Sequence, residues 1–198
     1  MDTYFDLGGY SFPVTTQSTE AQTWFDRGIL WTYGYNHEEA VTCFEHAIDA
    51  DPECAMAHWG AGYASGPNYN MPWDLFDYAG RVAAAQAGYA HARKALDLID
   101  GVTGWEAALI HALPARHPQP DPLDPKAMKA WNADFADAMR DVFAAHPESH
   151  EVRTVFAESL LNLTPWKMWD LTSGQPAAGA RTVEVQTVLE EALEGDPS

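Results

Sequence analysis

The chain has 198 residues, of which 46% are hydrophobic and 12% aromatic. That excludes a disordered chain and leaves room for one domain with a substantial core, or for several stacked repeats. The formal net charge of −18 argues against nucleic acid and anionic lipid as partners, because such a surface repels phosphates.

The acidic surface suits basic, neutral or metallic partners, and it also serves solubility alone. Two cysteines, Cys43 and Cys54, are too few for a disulfide framework. Reduced thiols fit a cytoplasmic protein. The opening segment MDTYFDLGGYSFPVTT has neither a basic start nor an apolar run, so it does not read as a signal peptide. No apolar stretch reaches the roughly 18 residues that span a membrane.

Residues 1–17 carry Gly8, Gly9 and Pro13 and read as an arm lying on the first helical unit. Ser18 then caps a helix running to about Tyr33, with Glu20 near the positive end of its dipole. Trp24, Gly28 and Trp31 fall on one face of it. Gly28 marks a place where two helices cross closely. The second helix starts at Asn36, which with Glu39 makes a capping box. Ala40, Phe44 and Ala47 form its inward stripe. Asp51-Pro52 ends it, because the residue before proline avoids the helical region.

The intervals from Ala40 through Phe44 and Ala47 to Pro52 are 4, 3 and 5. They recur at Ala85, Tyr89, Ala92 and Asp97, at Phe135, Met139, Val142 and Pro147, and at Val185, Leu189, Ala192 and Pro197. Each ending predicts the first helix of a new unit: Ala55 to Ser65, Gly104 to Leu113, and His150 to Leu163. The endings lie 45 to 50 residues apart, so extra chain falls in three connections: Gly66 to Phe76, Pro114 to Pro125, and Thr164 to Ala180. The second holds five prolines and reads as a stiff, non-helical spacer.

The spacing of Trp24, Gly28, Trp31, Ala40, Phe44, Ala47 and Pro52 is that of a tetratricopeptide (TPR) repeat, a helix–turn–helix of about 34 residues. Arg27 departs from the pattern, where the family usually has Leu, and Trp31 stands where it usually has Tyr. The pieces YNHEEA (Tyr35 to Ala40), DPECAMAHWG (Asp51 to Gly60), GPNYNMPW (Gly66 to Trp73) and AESLLNLTPWKMW (Ala157 to Trp169) resemble the N-terminal part of longer bacterial TPR-domain proteins. That resemblance implies further helical repeats beyond residue 198. Missing repeats, a partner or a second copy would then cover the exposed end after Pro197.

The expected fold is all-α: a TPR-like helical-repeat solenoid of about four antiparallel helix pairs with long inserted loops. Its units span about 18–54, 55–100, 101–148 and 149–198, as one domain after the arm.

Candidate chemistry gathers at the edges of the repeats. His37, in the first turn of the second helix, is either a ligating or proton-transfer group on the inner surface or a ring packed in the turn. Cys54 and His58 are four apart on one helix face, a spacing that can hold copper or zinc with His37 as a third ligand. Asn68, Asn70 and Trp73 lie in the first long connection. There they either line a pocket, with Trp73 as a wall, or brace the turn. Glu158 interrupts the apolar run FAESLLNL and needs a partner if buried. Trp166 and Trp169 follow Pro165 and either stack a ligand or close the core. No phosphate loop, nucleophile elbow, H-E-x-x-H or C-x-x-C occurs.

The expected function is a binding scaffold whose concave face and loops hold a partner protein, a peptide or a small ligand through His37, Asn68, Asn70, Trp73, Glu158 and Trp166. The alternative is a metal-dependent (copper, zinc or iron) enzyme, or a metal-binding protein, on the same scaffold, its site drawing on His37, Glu158 and the Asn68–Asn70 loop, with His37, Cys54 and His58 as candidate metal ligands.

Overall fold

Phe44 shows how the first three helices pack. Its ring lies over Gly28 on one side and Gly60 on the other. A Cβ at Gly28 would come within 2.6 Å of the ring, and one at Gly60 within 2.4 Å. Gly28 therefore does what its place in the sequence predicts. Gly60 repeats the device on the third helix, unforeseen. Glycine at both positions lets three backbones close on one buried ring.

The computed structural model describes residues 4–122 and 124–195. Within them the chain is all-α apart from one small hairpin. The helices are α1 (Thr19–Tyr33), α2 (His37–Ala50), α3 (Ala55–Ala64), α4 (Tyr78–Asp97), α5 (Gly104–Arg116), α6 (Pro125–Ala145), α7 (His150–Leu161) and α8 (Thr182–Gly195). Each packs on the next along the chain, and α3 also contacts both α1 and α5. No helix among the described residues is long and apolar enough to cross a membrane. Pro197, the expected ending of the fourth unit, lies outside the described residues.

The local signals act where the sequence puts them. The Ser18 side chain accepts from Ala21 N, and α2 stops at Asp51 in extended backbone. Only half of the expected capping box forms. Asn36 Oδ1 accepts from Glu39 N at 3.4 Å. The Asn36 N–H is already taken by the Trp31 carbonyl, so the Glu39 carboxylate accepts from the Tyr4 hydroxyl instead, at 2.6 Å.

Two connections differ from expectation. Helix α5 runs through Pro114 to Arg116, so the proline-rich stretch is partly helical. A proline in the last turn forfeits one hydrogen bond there. The third connection carries an antiparallel hairpin of β1 (Trp169–Asp170) and β2 (Gln175–Pro176).

The N-terminal arm lies on α1 and also reaches α5. Phe12 is fully buried, stacked on Phe25 at 5.5 Å and edge-on to Trp105 at 5.3 Å. Glu106, also fully buried, accepts from Thr15 N and Oγ1 and from Thr103 N and Oγ1. One carboxylate thus ties the arm to the start of α5.

Candidate functional site

His37 opens α2 after a turn in which Tyr35 takes a left-handed conformation (φ 59°), strained for a bulky residue. The turn aims the imidazole at the end of α3, where Nδ1 lies 3.0 Å from the Ala64 carbonyl oxygen. A helix leaves its last carbonyls without internal partners, and His37 serves one of them. Burial holds its pKa down to about 4. The Arg116 guanidinium adds to this, against the Ala64 and Thr32 carbonyls, which pull the other way. At neutral pH the ring is therefore uncharged. Nδ1–H donates to Ala64, and Nε2 keeps a lone pair.

Two cavities meet at this side chain. The larger, about 590 Å³, is lined by Tyr35, His37, Val41, Asn68, Phe76 and Ala87, among others. The smaller, about 190 Å³, lies between Tyr33, Tyr35, His37, Tyr63, Glu158 and Leu189. His37 and Glu158, far apart in sequence, thus share one cavity.

Glu158 is half-buried and paired. Its Oε2 accepts from the Tyr63 hydroxyl at 2.5 Å, and its Oε1 from Asn162 Nδ2 at 2.6 Å. Burial, and then the neighbouring Glu158 charge, hold the Tyr63 phenol far above its ordinary pKa, so it stays a donor. Tyr33 lines the same cavity, and its hydroxyl is buried without a hydrogen-bond partner among the described residues.

Behind the loop that follows α3 lies Arg116, only 1% exposed. Its Nη2 donates to the Pro67 carbonyl, and its guanidinium lies 4.6 Å from the Tyr63 ring centroid and 5.1 Å from that of Phe135. A Cβ on Gly66 would lie 2.7 Å from Arg116 Nε, so glycine there lets the loop close over the guanidinium. His117 is fully buried against Gly88, and burial holds its pKa down to about 3.

The remaining expected residues separate. Asn68 Oδ1 accepts from Asn70 N and Met71 N, both at 2.9 Å, so Asn68 braces the turn beside the large cavity. Asn70 is exposed and lies outside these cavities. Trp73, 1% exposed, and Trp166, 55% exposed, line a third cavity of about 270 Å³.

Cys54 and His58 do not meet His37. They occupy the start of α3, whereas His37 contacts its end at Ala64. Six residues of helix separate His58 from Ala64, about 9 Å along the axis. His58 pairs instead with His91 of α4, Nδ1 to Nδ1 at 3.2 Å. Both cysteines are buried and free. Among the described residues no three His, Cys, Asp or Glu side chains converge as metal ligands.

No family model, curated protein or solved structure matches the chain.

Four residues that matter here were not singled out from the sequence. Tyr63 occupied an expected core position. Arg116 lay in a stretch read as spacer. His91 lay between Tyr89 and Ala92 of an inward stripe, one residue off its spacing. Asn162 gave the one usable hint, as a second polar residue in FAESLLNL.

Proposed function

We propose that the chain is a TPR-like binding scaffold that holds a small ligand in the cavity between the α1–α2 turn and the α3–α4 connection. The carrying observation is the cavity of about 590 Å³ with a neutral, half-buried imidazole in its wall. That volume falls within the roughly 300–1,000 Å³ of small-molecule sites. Val41, Met71, Phe76, Ala84 and Ala87 make apolar walls, and Asn36, His37 and Ser65 supply the polar groups. Packing of each helix on its neighbours in sequence supports the repeat reading. Cys54 and His58 lie apart from His37, and Glu158, which shares a cavity with His37, already accepts from Tyr63 and Asn162; both observations favour the scaffold over the metal-dependent enzyme.

Ligand-observed NMR with a library of small polar fragments tests the reading. Binders to the native chain are expected, with affinity falling about tenfold or more in His37→Ala. Fragment binding that is indifferent to His37 in every case would refute it.

A further inference from the structure

Asn68 stands in the wall of the His37 chamber with half of its side chain already committed. Its Oδ1 accepts from Asn70 N and Met71 N, both at 2.9 Å, and its main chain exchanges two hydrogen bonds with that of Met71, both at 3.1 Å. Two backbone N–H groups on one atom fix which end of the amide is oxygen. The other end, Nδ2, donates to no group among the described residues, yet it is not sealed off from solvent. The residue is only 4% exposed, and it lines the chamber of about 590 Å³. A donor held in that wall by a braced loop, with no internal acceptor, is left for whatever enters the chamber.

His37 supplies the opposite group. Its Nδ1–H donates to the Ala64 carbonyl, which leaves Nε2 as an acceptor. That bond fastens the imidazole at Ala64, so acceptor and donor flank the short stretch of wall 64–68. Val41, Phe76 and Ala87 make much of the remaining lining apolar. Charges of opposite sign stand on either side. The Arg116 guanidinium acts on His37 from behind Gly66, and Glu38 is exposed at the rim. No lysine or arginine is among the described residues that line the chamber.

We infer that the ligand held beside His37 presents a neutral carboxamide or lactam edge on an apolar ring. The assignment rests on the function proposed above and names the chemistry of that same site. The amide N–H donates to His37 Nε2, and the amide carbonyl accepts from Asn68 Nδ2, with no charge left over. A carboxylate has no proton for the imidazole lone pair and meets Glu38. An ammonium has no acceptor for Asn68 and meets the field of Arg116. A polyol would set its further hydroxyls against Val41 and Phe76, where they lack partners.

Saturation-transfer NMR on the full chain tests this with matched one-ring probes. Benzamide and 2-pyridone are the carboxamide and the lactam; N,N-dimethylbenzamide, benzoate, benzylamine and benzyl alcohol are the controls. The better of the two amides is expected to bind about tenfold or more tightly than every control. N,N-dimethylbenzamide keeps the carbonyl and lacks the N–H, so it isolates the bond to His37. Asn68→Asp keeps the oxygen that braces the turn and replaces the donor with a second oxygen. Binding of the preferred amide should fall about tenfold or more in that variant, whose unfolding temperature shows whether the loop has held. The comparison among probes uses the native chain alone and stands even where the variant does not fold. Three outcomes would each overturn the assignment: no binding of either amide, a control that binds as tightly as the better amide, or undiminished amide binding in folded Asn68→Asp. A control or library fragment that binds and is lost in His37→Ala would leave the ligand site standing and remove only the chemistry assigned to it.

Discussion

His37 and His117 set the chain's response to acid at the level of single side chains. Burial holds their pKa values down to about 4 and about 3, from an ordinary 6.5. His58 is likewise lowered to about 4, and His91 is lowered as well, mainly by burial. The unfolded chain therefore takes up protons first as pH falls. The stability these rings contribute is fully present above about pH 6.5 and is lost progressively toward pH 4. Each pKa unit corresponds to about 1.4 kcal/mol, large against a total stability of about 5–15 kcal/mol. Denaturant unfolding at pH 7, 6 and 5 should show a falling free energy, in a window where most carboxylates have yet to titrate. A flat profile would mean that these rings are more solvated than the structure shows. Not all of this was legible in the sequence. Gly28 announced its close contact because the repeat pattern places it at a helix crossing. Gly60 and the His58–His91 pair depend on which helix lies across from which, and spacing within one helix cannot supply that.

Glu106 belongs to the scale of elements, because it joins two of them. It caps α5 through Thr103 and holds the arm through Thr15. Glu106→Ala removes the buried acceptor shared by the N–H and hydroxyl groups of Thr15 and Thr103, two residues at the surface. The expected cost is about 2–4 kcal/mol, read by denaturant unfolding, with faster proteolysis near residues 12–17. A change below about 0.5 kcal/mol would show that the arm is held without Glu106, by Phe12 and by the bonds to Asp26, Gln22 and Asp51. Helix starts and stops were readable, since Ser18, Asn36 and the Asp51-Pro52 pair act through local backbone chemistry. The capping box was over-read, because Tyr4 competes for the Glu39 carboxylate from far along the chain. The end of α5 was under-read, because a proline in a last turn gives up only one hydrogen bond. The connections carried the right suspicion with the wrong division of labour. Asn68 braces the loop, Asn70 faces outward, and Trp73 serves a cavity of its own with Trp166.

At the scale of the whole molecule, the path of the helices brings α1 and α7 to one cavity, so that Tyr33, His37 and Glu158 face a common space. The bond from Asn162 to Glu158 then links that space to the Trp73–Trp166 cavity. Composition foretold a folded chain and the residue spacing its helical units, and the described residues are all-α apart from one hairpin. Neither could foretell which loops would meet, because that depends on how far each helix pair turns against the next. Among the described residues, Tyr35 and Trp166 are the non-glycine residues with left-handed backbone, and both line cavities. Strain placed at two cavity walls suits sites kept for ligands. The central claim is that the chamber beside His37 holds one. Ala87 lines it on α4, half-buried, so Ala87→Phe should fill the space while leaving the core intact. The most direct measurement is calorimetric titration of the best fragment from the NMR screen into the native chain and into Ala87→Phe, alongside their unfolding temperatures. The account predicts a loss of about a hundredfold or more in affinity with little change in unfolding temperature; equal affinity in the two proteins would contradict it.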